Sequence, residues 1–133
     1  AALGVEDAVE FTGGMGQDAL ARQYALASCL VLPSRSEPWG LVVNEALHYG
    51  CPVVVSEGCG CVPELVRDGD SGYAFRCNDV EDLAHKLLQI VHEFGDAGQT
   101  ADRCLELIAP YTPEQAAEQM LHGCQAILVA GRE

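Results

Sequence analysis

Basic residues are the scarcest chemical class in this chain, and their scarcity excludes one group of functions. The 133 residues contain 7 Lys and Arg against 20 Asp and Glu, a formal net charge of −13. The single lysine is Lys86. A surface of this charge repels phosphate backbones and anionic lipid. We therefore expect no nucleic-acid partner, and we expect the acidity to serve mainly solubility.

Long apolar runs are also missing. No run approaches the roughly 20 residues of a membrane span, and the stretch Ala1–Glu6 lacks the basic flank of a signal peptide. The length fits one domain with a sizeable core. Seven cysteines, an odd number scattered along the chain, favour reduced thiols over a disulfide framework. The expected location is the cytoplasm.

The sequence also lacks a recognisable group of metal-binding residues. Cys59 and Cys61 lie close in sequence, but zinc sites need about four ligands and commonly a two-residue gap between paired cysteines. No partner pair is evident. We therefore expect no metal site and no cofactor.

Short apolar runs alternate with helical patterns, which predicts an α/β domain with a parallel sheet and helices on both faces. After Gly95 the pattern is purely helical, and Thr112-Pro113 is a strong start signal for the last helix, with Thr112 as its cap. The predicted strands lie near 9–13, 29–33, 52–56 and 72–76, and the predicted helices near 17–28, 39–49, 62–68, 80–94 and 113–129.

The most informative feature is a pair of acids, Glu37 and Glu45, which follow the apolar run 29–32 and are separated by seven residues. Pro38 restricts Glu37 to extended geometry and suits the first turn of a following helix. Glu37 is then expected in the loop and Glu45 just over one turn inside the helix. The free N–H groups of a helix N-terminus suit phosphate, and a carboxylate nearby suits a sugar hydroxyl. The pattern predicts a nucleotide-sugar pocket.

The acid pair with Pro38, Gly40 and Leu41 between its members resembles the signature of the retaining glycosyltransferases of family 4. The resemblance covers roughly residues 5–130, and several spaced blocks are more specific than one short motif. The other blocks are Val9-x-Phe11-x-Gly13, Ala25-x-Ala27-x-x-Leu30-x-Leu32-Pro33-Ser34, Ala46-Leu47-x-x-Gly50-x-Pro52-Val53-Val54 and Gly60-x-x-Pro63-Glu64-Leu65-Val66-x-Asp68-Gly69-x-x-Gly72-Tyr73.

This resemblance implies a two-domain enzyme of the GT-B type, with residues 1–133 as the C-terminal donor-binding domain. The sheet would be Rossmann-like and incomplete. The N-terminal acceptor domain, the first βα unit and the family's basic diphosphate-binding elements would lie upstream. The isolated segment is expected to self-associate, and the full-length enzyme is expected to meet membranes peripherally through its N-terminal domain.

The resemblance also implies roles. Glu45 would bind the donor's ribose hydroxyls, since a carboxylate accepts two short hydrogen bonds from a diol. Backbone amides at Gly40 and Leu41 would meet phosphate or donor sugar. Trp39 stands where the family more usually has phenylalanine, and it would contact the sugar or pack at the cleft floor. Arg35 is the only base beside the motif, and it would reach phosphate or pair with Glu37.

Glu37 carries the catalytic assignment, because the family's first acid lies near the transferred sugar. A carboxylate there would stabilise positive charge developing at the anomeric carbon. The alternative is that Glu37 only positions a sugar hydroxyl. One departure from the family stands nearby, since Cys61 occupies the position of a usual glycine.

These observations predict a retaining transferase domain that moves a sugar from a nucleoside diphosphate donor to a glycan, lipid or small-molecule acceptor. One alternative is a non-catalytic nucleotide-binding module of the same fold. The other is a nicotinamide-dependent dehydrogenase, because Gly14-Met15-Gly16-Gln17-Asp18-Ala19 matches the dinucleotide fingerprint. Against it, the preceding residues alternate polar and apolar, whereas a central first strand is a continuous apolar run.

Overall fold

The computed structural model describes residues 3–130. A 3₁₀ turn at Glu6–Ala8 precedes the regular elements. In chain order these are α1 Gln17–Leu26, β1 Leu30–Leu32, α2 Leu41–His48, β2 Val53–Ser56, α3 Val62–Leu65, β3 Gly72–Phe75, α4 Val80–Glu93, α5 Ala97–Ile108 and α6 Pro113–Ala130.

The sheet is parallel, with strand order β1-β2-β3. Val53 is level with Leu30 on one side and with Gly72 on the other. All four residues of β2 are buried, as expected for the middle strand of a sheet covered on both faces. The β-branched run Val53-Val54-Val55 therefore forms the centre of the fold.

Helices cover both faces of this sheet, which confirms the predicted architecture. Val53 and Val55 belong to a core that includes buried side chains of α1, α2, α3 and α5. Val54 faces the other way and packs in a second core with Tyr73, Phe75 and Ile90, the last from α4. The alternation follows from the two-residue period of a strand.

The strand predicted at residues 9–13 is wrong. Val9 has the extended angles φ −119 and ψ 126, but in the described part of the chain this segment pairs with no strand. The side chain of Phe11 is 95% exposed. An extended segment becomes a strand only when a neighbour accepts its backbone hydrogen bonds, and β1 pairs with β2 alone within residues 3–130.

Two further predictions concern helix ends. Pro38 does not lie in the first turn of α2, because Gly40, with a φ of 99, precedes Leu41 as its N-cap. This left-handed residue turns the chain between Pro38 and the helix. The start of α6 is confirmed, since the Gln115 N–H donates to Thr112 Oγ1 at 3.2 Å. Every residue of α6 is exposed.

No helix within residues 3–130 is both long and apolar enough to cross a membrane.

Candidate functional site

The loops that follow β1 and β2 are joined at the carboxyl edge of the sheet. The Glu37 N–H donates to the carbonyl of Gly58 at 3.0 Å, and the Gly60 N–H donates to the carbonyl of Glu37 at 2.9 Å. The Cys61 N–H donates to the carbonyl of Trp39 at 3.1 Å. In open parallel sheets, ligands bind outside this edge. The acid motif therefore lies on a fixed loop at the edge where the fold binds ligands.

Two glycines allow this close approach. A Cβ at Gly58 would lie 2.4 Å from the carbonyl oxygen of Arg35, and one at Gly60 would lie 2.0 Å from that of Pro38. Both distances are well below van der Waals contact. Any side chain at either position would push the two loops apart, so the position of Glu37 depends on residues more than twenty places further along the chain.

Glu37 is half-buried in this joint, and the loop around it is lined by neutral thiols. Its backbone bridges to Cys59, and its Cγ would lie 3.5 Å from a Cβ at Gly40. Burial is the main cause that raises the pKa of the Cys61 thiol to about 11, and it raises the pKa of Cys59 as well. These thiols are protonated at neutral pH and are poor metal ligands or nucleophiles.

The N-terminus of α2 lies at Leu41, two residues after the predicted start near residue 39, with Gly40 as its N-cap. Gly40 is buried and Leu41, the first helical residue, is 69% exposed. No side chain of the described residues caps this helix, and within its first turn the Val43 N–H donates to the carbonyl of Gly40 at 2.9 Å. The N–H groups that precede Val43 and the positive end of the helix dipole suit an anionic ligand. The predicted contact of Gly40 and Leu41 with phosphate or sugar stays a prediction.

Glu45 lies on the second turn of α2, exposed, and is held by a residue that the sequence analysis does not identify. The Tyr24 hydroxyl, from α1, donates to Glu45 Oε2 at 3.0 Å. Tyr24 is 7% exposed. Burial first, and then the hydrogen bond to Glu45, raise the pKa of Tyr24 to about 12. The pair is separated by 21 residues, so no local pattern could have revealed it.

Trp39 is fixed beside the same helix. Its indole Nε1 donates to Asn44 Oδ1 at 2.8 Å, and the half-buried ring packs against the core that contains α2. This position agrees with the interpretation of Trp39 as an aromatic packed at the floor of a cleft. A sugar contact stays a prediction.

Arg35 is exposed and, among residues 3–130, forms no ion pair with Glu37. Its backbone carbonyl accepts a weak hydrogen bond from Cys77 Sγ at 3.7 Å. The pairing alternative is therefore not observed. Its predicted contact with phosphate stays open.

A cavity of about 450 Å³ lies among the C-terminal ends of α1 and α4, the turn after α2 and the start of α5, and is lined by Tyr24, Tyr49 and Phe94 among others. Neither Glu37 nor Glu45 lines it. Among the described residues no three His, Cys, Asp or Glu side chains converge in a way that could hold a metal. The carboxyl edge remains the candidate site.

The dinucleotide fingerprint lacks its structural context. Residues 14–16 are exposed, a Cβ on Gly14 or Gly16 would meet nothing within 4 Å, and no strand precedes them in the described chain. The motif requires a strand that leads directly into the glycine turn. A nicotinamide-binding reading is therefore not favoured.

Comparison with known proteins identifies a family and several relatives of this chain. The family model described as "Glycosyl transferases group 1" matches residues 1–104. The sulfoquinovosyl transferase SQD2 of Arabidopsis thaliana is 40% identical over 86 residues, which cover 62% of this chain and 17% of that protein. The chain spans about a fifth of the length of the curated relatives it matches, between 17% and 21% for the first of them.

Solved structures share the fold. Sucrose-phosphate synthase from Thermosynechococcus elongatus superposes with a TM-score of 0.80 at 28% identity, over 96% of this chain and 32% of that one. Anabaena HepE in complex with UDP superposes with a TM-score of 0.76 at 22% identity, over 93% of this chain and 34% of that one.

Proposed function

The chain belongs to the group 1 glycosyl transferases, and from this premise we propose that it is the donor-binding domain of a retaining enzyme of family 4. Its fold is that of the C-terminal half of a GT-B transferase. The proposed enzyme moves a sugar from a nucleoside diphosphate to an acceptor that is bound mainly by an N-terminal domain.

One observation carries this proposal: a helix N-terminus without a side-chain cap lies at the carboxyl edge of the sheet between two carboxylates. The helix begins at Leu41 after the N-cap Gly40 and has no side-chain cap, with Glu37 before it in the joined loop and Glu45 one turn after Leu41. A diphosphate requires N–H donors, and a ribose diol requires a carboxylate. Both requirements are met within nine consecutive residues. The solved complex of HepE with UDP agrees with a nucleotide ligand for this fold.

In the proposed reaction the bond between the anomeric carbon and the diphosphate oxygen breaks, and the diphosphate leaves with the electron pair. The acceptor hydroxyl attacks the same face of the sugar, and its proton passes to the leaving diphosphate. Positive charge on the sugar ring is greatest between these two events. The half-buried carboxylate of Glu37 would stabilise that charge, and the α2 N-terminus would stabilise the negative charge on the diphosphate.

The proposal includes a reaction without metal or cofactor and a cytoplasmic location. The α2 N-terminus would supply the phosphate charge stabilisation that a divalent cation supplies in other transferases. The location rests on the odd number of cysteines, which favours reduced thiols.

The test is a binding and turnover panel on the full-length protein. The panel consists of UDP-sugars, GDP-sugars, ADP-sugars and NADH. Binding and sugar release would be measured for each compound. We expect one nucleotide-sugar to saturate the protein and to be turned over. Saturable binding without turnover in the presence of varied acceptors would favour a non-catalytic module, and binding of NADH alone would refute the proposal.

Glu45→Ala is the test variant, because Glu45 is exposed and the change removes only the acceptor of the Tyr24 hydroxyl. We expect the KM for the donor to rise by about 5- to 160-fold, which corresponds to the loss of charged hydrogen bonds of about 1 to 3 kcal/mol. Unchanged donor kinetics would remove Glu45 from the site.

A further inference from the structure

We infer that Tyr24 is a positioning residue that holds the Glu45 carboxylate in the orientation that receives the donor's ribose diol. The inference rests on the proposed function and extends it to a second helix. It assigns a role in donor binding to α1, which carries none of the acid motif.

The hydrogen bond between the two side chains has the chemistry that this role needs. Tyr24 has one hydroxyl proton and donates it to Oε2 of Glu45 at 3.0 Å. A carboxylate offers about four acceptor positions over its two oxygens. Oε1 and the remaining lone pairs are left for two ribose hydroxyls. Tyr24 therefore orients Glu45 without competing for all of its acceptor capacity.

The Tyr24 side chain is held rigidly by its neighbours, whereas the Glu45 side chain is not. Tyr24 is 7% exposed and belongs to the core that also contains Val43 and Leu47 of α2. Its ring stacks on that of Tyr49, with centroids 6.0 Å apart and an interplanar angle of 18°. Glu45 lies on the exposed surface of α2, where a long side chain samples several rotamers. Fixing one rotamer before the ligand arrives lowers the entropy lost on binding.

The Tyr24 hydroxyl also keeps its proton at physiological pH. Burial and the neighbouring carboxylate raise the pKa of Tyr24 to about 12. The hydroxyl therefore stays a hydrogen-bond donor to Glu45.

A purely structural role is the competing explanation, in which the bond only ties α1 to α2. The two explanations differ in one measurable way. A positioning residue acts on the ribose hydroxyls through Glu45, whereas a structural tie acts on every ligand of the site and on stability.

The experiment uses the full-length enzyme with four forms: wild type, Tyr24→Phe, Glu45→Ala and the double variant. Affinities are measured by calorimetry for UDP, ADP and GDP, and for the 2′,3′-dideoxy analogue of whichever binds. We expect Tyr24→Phe to weaken the ribose nucleotide about 3- to 10-fold, the range for one hydrogen bond. Its dideoxy analogue should bind both forms equally. The effect should disappear in the Glu45→Ala background, because the two residues act as a unit. Donor KM should rise while kcat stays unchanged.

Tyr49→Phe is the matched control, since it removes a hydroxyl from the other member of the stacked pair. Tyr49 is 47% exposed, and its hydroxyl forms no side-chain hydrogen bond among residues 3–130. We expect wild-type affinity from this variant. Tyr24→Phe keeps the ring, and its thermal midpoint checks that the fold is retained.

The outcomes separate the inference from its premise. If Glu45→Ala weakens the ribose and dideoxy nucleotides equally, Glu45 does not bind the diol and the proposed role of Glu45 fails. If Glu45→Ala is selective for ribose but Tyr24→Phe is not, the premise holds and the inference is overturned. Equal losses for both nucleotides in Tyr24→Phe would likewise assign the tyrosine a structural role.

Discussion

Gly60→Ala should damage both stability and catalysis, although Gly60 is exposed at the surface. Surface substitutions usually change the free energy of unfolding by less than about 0.5 kcal/mol. Here the added Cβ would lie 2.0 Å from the carbonyl oxygen and 2.9 Å from the carbonyl carbon of Pro38. Both atoms are backbone, so the clash cannot be relieved by rotating a side chain. The loop that carries Glu37 must move away by an ångström or more.

The size of the effect follows from the bonds in the joint. Three backbone hydrogen bonds connect residues 37–39 to residues 58–61, at 3.0, 2.9 and 3.1 Å. Each contributes about 0.5 to 1.5 kcal/mol net. Separating the loops should therefore lower the free energy of unfolding by about 2 to 4 kcal/mol. A displacement of about 1 Å at Glu37 should also lower kcat by up to about 100-fold.

Urea unfolding of the Gly60→Ala chain, beside steady-state kinetics of the same substitution in the full-length enzyme, measures both effects. Gly95→Ala is the control, because a Cβ there would meet nothing within 4 Å. Stability of Gly60→Ala within about 0.5 kcal/mol of the control would refute the claim that glycine is required by the loop contact. Lost stability with normal kcat would show that Glu37 does not depend on the joint.

Glu37→Gln keeps the size of the side chain but removes its charge, and steady-state kinetics should show a fall in kcat that exceeds any loss of donor affinity; an unchanged kcat would limit Glu37 to positioning a hydroxyl. As the pH rises from the ordinary tyrosine pKa of 10.0 to the raised pKa of about 12, the Tyr24→Phe variant should lose less stability than the wild type. The reason is that stabilisation by the neutral hydroxyl is complete below the unfolded-state pKa and is lost as pH rises through the folded-state pKa. Equal losses of stability in urea titrations would show that another group titrates. The isolated 133-residue chain should fold but transfer no sugar, and it should self-associate through exposed apolar side chains such as Phe11 and Leu128. Light scattering that finds the same oligomer in the isolated chain and the full-length protein would contradict self-association as a result of isolation.

Features that depend on residues close together along the chain were predictable from the sequence alone. The β-branched run at 53–55 indicated a strand buried on both faces, and Thr112 with Pro113 located the start of the last helix. The interval between Glu37 and Glu45 placed one acid before α2 and the other on its second turn. These predictions succeeded because hydrophobic periodicity and helix capping involve residues a few positions apart. The assignment to the group 1 glycosyl transferases succeeded for a related reason, since it rests on the order and spacing of short blocks; family 4 and a retaining reaction stay predictions.

Features that depend on contacts between residues far apart along the chain became known from the packed structure. Val9 has extended backbone angles, but Gly13 has the left-handed φ of 66, and residues 9–13 form no strand in the described chain. A strand exists only where another strand accepts its hydrogen bonds. The Glu37 loop is held by Gly58 and Gly60, and Glu45 is held by Tyr24 from a different helix. Spacing along the chain does not encode such distances, since packing of the helices on the sheet brings these residues together. The motif therefore predicted the candidate site, and the packing determined how its two carboxylates are held.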